Sequence, residues 1–173
     1  MIAGGTDALL TFRVGPARAA LPLSIVREVV QTPAIIEVPG SHSQVAGVTL
    51  RAGVAVPVYD LVIHAPLWTR PEQTAGAPAK RTSAQHLIVC RFGEVLVGLL
   101  GEQADFLEGS VAPPEAATGS EAIRPEYLRG QLRSGAESVA LLDPAKLFTS
   151  LGVPGGGRPP ATEDEGEEDP AGR

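Results

Sequence analysis

The chain has 173 residues, 43% of them apolar and only 4% aromatic, with a formal net charge of −6. That length suits one ordinary domain or two small ones sharing a core, and so few aromatics leave Val, Leu, Ile and Ala to build it. Residues 154–173 hold six acids against two arginines, so the body is close to neutral. It lacks the basic, aromatic-studded face that a nucleic-acid-binding small barrel needs.

Short segments rich in β-branched residues, broken by Gly and Pro, follow one another along the chain. Residues 8–14 predict a strand, Gly15-Pro16-Ala17 a turn, and 19–23 a returning strand. Residues 25–30 read as a strand or a single helical turn, and 34–38 as another short strand. Ser41 is a candidate cap for a turn of helix through Val45. Residues 48–50 and 54–59 predict a strand pair around Gly53. The stretch 66–85, punctuated by Pro66, Pro71, Gly76 and Pro78, reads as a loop. Strands resume at 86–92, 95–100 and 105–108, and a second Pro/Gly-interrupted stretch covers 110–125. Residues 128–133 and 137–142 form the last strand pair. Asp143 as N-cap with Pro144 at the first helical position starts a helix that Gly152 ends. Beyond Pro154 the composition predicts a disordered acidic tail.

Two stretches repeat each other. Gly47-Val48-Thr49-Leu50-Arg51 leads through Gly53 to Pro57-Val58-Tyr59-Asp60-Leu61, and Gly130-Gln131-Leu132-Arg133 leads through Gly135 to Leu141-Leu142-Asp143. Both Gly-to-Asp spans are 13 residues. Such a repeat, a pseudo-repeat of about 8–65 and 86–151, predicts two similar small units that interleave within one domain over 8–151, with function in the cleft they share. Gly47, Gly53 and Gly130 read as turn and close-packing glycines.

Catalytic signals are weak. Cys90 lies in the apolar run 87–90 and reads as a buried, inert thiol. His86, four residues away on the same strand face, lacks the third group that a nucleophilic enzyme needs. His42, His64 and His86 have no paired ligand spacing, so no metal or cofactor is expected. Trp68, the single Trp, is expected to pack back over the strands, although Trp also favours interfaces. No run reaches the roughly 18 apolar residues of a membrane span, and the first residues do not read as a signal peptide. The expectation is a soluble cytoplasmic protein.

Six pieces in order resemble one family. Phe12 and Gly15 precede Leu21-Pro22-Leu23; Val26-Arg27-Glu28-Val29 fits V-x-E-V; Val38-Pro39 precedes the Gly47 segment; Pro57-Val58-Tyr59-Asp60-Leu61 fits P-V-x-D-L; Gly98-Leu99-Leu100 fits V-G-L; Leu141-Leu142-Asp143 fits L-L-D. From about residue 9 to 151 the chain resembles the CheW-like domain, the coupling protein of bacterial chemosensory systems. The resemblance implies a mainly β fold of two five-stranded, SH3-like β-barrels around a shared core, with a C-terminal helix. It implies a chemotaxis scaffold or adaptor of the receptor arrays, not an enzyme. Its partners would be the tip of a methyl-accepting chemoreceptor and the regulatory domain of a CheA-type histidine kinase. The receptor groove would involve Val26, Glu28, Val29, Val48 and Arg51. The kinase interface would involve Ala52, Gly98, Leu99 and Glu102. Gly47, Gly53, Pro57, Gly130 and Asp143 would be structural.

One departure carries an expectation of its own. The family has N-L-R-G where this chain has Leu50-Arg51-Ala52-Gly53, so Ala52 takes the usual Arg position and Arg51 comes one place early. Successive strand residues point to opposite faces, which predicts that Arg51 aims away from Glu28 unless a bulge restores it. Gly101-Glu102 also replaces the family's usual V-D. A chain with this divergence is similar to FrzB-like adaptors, which engage a receptor but not the kinase. The expectation is that groove binding is kept and kinase docking weakened.

Overall fold

Two β-hairpins built to one plan organise the molecule. In the computed structural model, which describes residues 7–42, 45–70, 86–109 and 122–154, the strands are β1 (Asp7–Val14), β2 (Ala17–Pro22), β3 (Val26–Gln31), β4 (Val45–Arg51), β5 (Val54–Tyr59), β6 (His86–Phe92), β7 (Val95–Gly109), β8 (Leu128–Ser134) and β9 (Glu137–Leu142). The helix α1 (Pro144–Ser150) follows. Hairpins β4–β5 and β8–β9 are the repeated blocks. Each carries a bulge one residue before its leading glycine, at Ala46 before Gly47 and at Arg129 before Gly130. Each closes with a two-residue turn, Ala52-Gly53 or Gly135-Ala136. Each ends on a capping Asp: Asp60 accepts from Val62 N, and Asp143 accepts from Ala145 N and Lys146 N at the start of α1.

The hairpins seed two five-stranded sets that share β7. One runs β3-β6-β7-β5-β4; the other runs β7-β1-β2-β9-β8. Residues 95–101 of β7 pair with β6, and 102–109 lie along β1. In each set the second strand of the hairpin joins a parallel partner at two positions: Val58↔Gly98 and Tyr59↔Leu99, or Ala19↔Ala140 and Ala20↔Leu141. Among the described residues neither set is closed by a continuous ladder. The ends of the first are linked by an isolated Ile36↔Val48 bridge. Mainly β class, two five-stranded units and a C-terminal helix match the expectation, and each unit draws strands from both halves of the chain.

Period-two alternation explains the packing. On β6, Leu87 and Val89 enter a cluster inside the first set, whereas Ile88 and Cys90 enter a core common to both. On β9, Val139 and Leu141 enter the second set's interior, and Ala140 and Leu142 the common core. A strand buried on both faces must be apolar throughout, hence the unbroken runs 87–90 and 139–142. Leu147 and Phe148 of α1 also enter the common core, where Phe148 lies 5.0 Å from Phe92, ring centroid to centroid.

Several local expectations are corrected. Residues 34–38 hold only the bridge at Ile36, not a strand. Ser41 and His42 are not helical, and Val45 already belongs to β4. Segment 25–30 divides into a 3-10 turn (Leu23–Ile25) and β3. The two strands expected at 95–100 and 105–108 are one, because left-handed Gln103 (φ 47°) and a register shift opposite Phe12 bend β7 without ending it. Within 66–85 the described part holds a 3-10 turn (Ala65–Leu67) and a Trp68↔Ile123 bridge. Residues 71–85, 110–121 and the acidic 155–173 lie outside the described residues.

Candidate partner-binding site

Arg51 binds Glu28 in a two-pronged ion pair: Nε donates to Oε1 at 2.7 Å and Nη2 to Oε2 at 2.8 Å. The expectation that Arg51 aims away is therefore wrong, and a bulge in β3 is the reason. In β3, Val26 lies opposite Cys90 but Glu28 opposite Val89, so Arg27 is an extra residue. The bulge turns Val26 and Val29 to the common core, where their partners Cys90 and Ile88 lie. Glu28 and Val30 then take the other side with Val89 and Leu87. In β4, register places Arg51 on the same face as Thr49, whose partner Val56 is in that same interior cluster. Both charged groups thus stand at the rim of the first set's interior. The Arg51 guanidinium holds the Glu28 carboxyl below the usual glutamate range, and Glu28 in turn raises Arg51.

Beside this pair lies a half-buried apolar edge. Val26, Val29, Leu23, Ile25 and Val45 pack against the common core without being covered by it. Val48 is not among them, contrary to expectation. It points to the outer face of β4, opposite Thr49 and Val56, and β4 contributes Val45 to the edge instead.

That outer face is the feature that sequence reasoning missed. Register puts Ile36, Val48 and Pro57 in one row and Leu50 and Ala55 in the next. Ile36 is 67% exposed and Leu50 66%. Strand β4 is inverted: its polar Thr49 and Arg51 face inward and its apolar Val48 and Leu50 outward. The signal lay in the sequence as Val-Thr-Leu-Arg alternation, but alternation does not say which face is inside. Gly47 makes the arrangement possible. It has φ 145°, and a Cβ there would sit 2.3 Å from Ile36 O. Only so close an approach lets Ile36 and Val48 exchange two backbone hydrogen bonds of 2.8 Å.

The expected kinase-interface residues are not brought together. Ala52 is exposed at the hairpin tip in a left-handed conformation, φ 48°. Gly98 and Leu99 are buried and cannot be surface contacts. A Cβ on Gly98 would meet Leu87 Cδ1 of β6 at 2.8 Å and Val58 Cγ2 of β5 at 3.3 Å, so this glycine serves the close packing of both neighbours on β7. Glu102 is half-buried on β7, opposite Arg13. Of the remaining structural candidates, Gly130 is buried directly after its bulge and Pro57 half-buried on the outer row.

Burial pushes the Cys90 thiol up to about 12, which suppresses the reactive thiolate. Trp68 is buried and donates from Nε1 to Leu61 O at 2.9 Å. No group of three or more potential metal ligands occurs among the described residues. No helix among them is long and apolar enough to cross a membrane.

Comparison with known proteins bears on the family and the fold. The model of the CheW-like domain matches residues 8–152. The crystal structure of the scaffolding protein TtCheW from Thermoanaerobacter tengcongensis is similar at a TM-score of 0.62 and 17% sequence identity, over 80% of this chain and 90% of that one. At that identity the likeness is one of fold. No curated protein matches the chain.

Proposed function

This chain belongs to the CheW-like domain family, and we propose from that premise that it couples a chemoreceptor tip to the regulatory domain of a CheA-type kinase. Membership makes it a chemosensory scaffold rather than an enzyme. The receptor's helical hairpin seats on the apolar edge at Val26 and Val29, with its i, i+3, i+4 side chains against that edge. Glu28 and Arg51 supply the polar rim. The kinase domain docks on the outer face at Ile36 and Leu50, near the Ala52 tip. Cytoplasmic receptor arrays are the setting this role requires.

The Glu28–Arg51 pair is the observation that carries the reading. The expectation of weakened kinase docking rested in part on an Arg51 aimed away from Glu28, and the two side chains are paired. A second, separate apolar surface is also what a two-partner adaptor needs. The test is direct binding of a receptor-tip hairpin and of the kinase regulatory domain to variants that keep the fold. Val26→Asp or Val29→Asp is expected to abolish receptor binding alone, and Leu50→Asp kinase binding alone. Receptor binding that survives both valine changes removes the groove assignment.

A further inference from the structure

His64 directly follows the 3-10 turn Leu61–Ile63 and is 2% exposed. Its Nε2 lies 2.9 Å from Ser150 Oγ, and that hydroxyl donates to Leu147 O at 2.8 Å. A serine hydroxyl has one proton. With that proton given to Leu147 O, Ser150 accepts from a protonated His64 Nε2, and burial favours the neutral ring. Its Nδ1 is buried with no partner among the described residues. A second proton has only Nδ1 to occupy, where it would create a buried cation with an unanswered donor.

The ionisable groups around this link are committed elsewhere. On the His64 side, Asp60 caps Val62 N, and Tyr59 is raised by burial and stays neutral. On α1, Asp143 caps the helix and Lys146 Nζ lies 4.0 Å from Asp143 Oδ2. On the stretch packed against α1, Arg124 donates to Trp68 O and lies 3.8 Å from Glu126. On β6, Arg91 pairs with Glu94. None of these bonds His64, and burial alone pushes its imidazole below the ordinary value.

We propose that His64 is an acid-sensitive latch: neutral, it fastens α1 over the core shared by the two units, and protonated, it releases the helix. Leu147 and Phe148 of α1 share that core with Trp68, Leu99 and Phe12, and Val26 and Val29 pack against it from outside. Release thus loosens the seat of the receptor edge; that last step rests on the function proposed above, whereas the latch does not. The open state titrates at the ordinary imidazole value of about 6.5, the closed state below it. The latch is accordingly at full strength above the open-state value and weakens as pH falls toward the closed-state one.

The test is imidazole-nitrogen NMR with amide exchange on the full chain between pH 7.5 and 5. His64 is expected to show the neutral Nε2–H tautomer and to titrate below about 6.5. Protection of α1 amides, corrected for intrinsic exchange, is expected to fall by up to about tenfold per pH unit below that value. His64→Gln abolishes this response; His86→Gln, which removes the other buried unpartnered Nδ1, and His42→Gln preserve it. If His64→Gln does not fold, the native titration decides. His64 titrating at or above about 6.5, or α1 protection indifferent to pH, overturns the latch. Receptor-hairpin binding absent at every pH with the α1 response intact sinks the groove reading and leaves the latch standing.

Discussion

Arg51 and Glu28 meet across β4 and β3 because the bulge at Arg27 turns Glu28 to the interior side that Thr49 and Arg51 face. The pair is partly exposed, so its weight lies in orienting a surface more than in holding the fold. Glu28→Gln is expected to leave the fold intact and weaken receptor binding. Because the folded-state pKa of Glu28 is lowered from its ordinary 4.5, the pair's stabilisation is present above that value and is lost as pH falls through the lowered one. Urea midpoints of the native chain and Glu28→Gln should differ at neutral pH and converge in strong acid. A difference that persists there would remove the ion pair as its cause.

Gly47→Ala should be the most damaging of the glycine changes in the hairpins. Its Cβ would lie 2.3 Å from the Ile36 carbonyl oxygen, whereas one at Gly53 meets nothing within 4 Å. A cost of about 3 kcal/mol or more is expected for Gly47→Ala and about 1 kcal/mol for Gly53→Ala, from its left-handed backbone alone. Equilibrium urea denaturation separates the two.

Ala52 holds a conformation that glycine or asparagine adopts more cheaply in such a turn. Ala52→Gly is expected to stabilise the chain by about 1 kcal/mol. Moving the arginine to the family position, Ala52→Arg with Arg51→Leu, is expected to lose the Glu28 pair and to lower receptor binding without improving kinase binding. A gain in kinase binding would mean that the departure does govern that contact.

Cys90 should resist alkylation in the native chain at pH 8 and react in urea. It is fully buried with its thiol pushed up to about 12. Mass spectrometry after a timed iodoacetamide pulse reads this directly, and rapid native labelling would contradict the packing described for β6.

The sequence announced the two-unit plan because the features that repeat are the ones that build a hairpin: a glycine after a bulge, a tight turn, an Asp cap. Asp143 with Pro144 located α1 to the residue. What it hid were insertions that leave no mark on composition. The bulge at Arg27 reverses which β3 residues share a face, so counting by twos misdirected both Arg51 and the reading of the ion pair. Gly98 and Leu99 looked like a recognition motif but are buried, Gly98 where Leu87 and Val58 crowd it and Leu99 in the common core. The outer face of β4 escaped notice because its apolar residues, unusually, are the outward ones.

The measurement that bears most directly on the central claim is reconstitution of the ternary complex. A receptor-tip hairpin, the kinase regulatory domain and this protein would be mixed in pairs and together, and complexes separated by size. The account predicts that hairpin and kinase domain co-elute only when the protein is present, and that Val29→Asp and Leu50→Asp each remove one partner. Retention of the hairpin alone, with the kinase domain left free, would contradict coupling and make the chain a receptor-only adaptor.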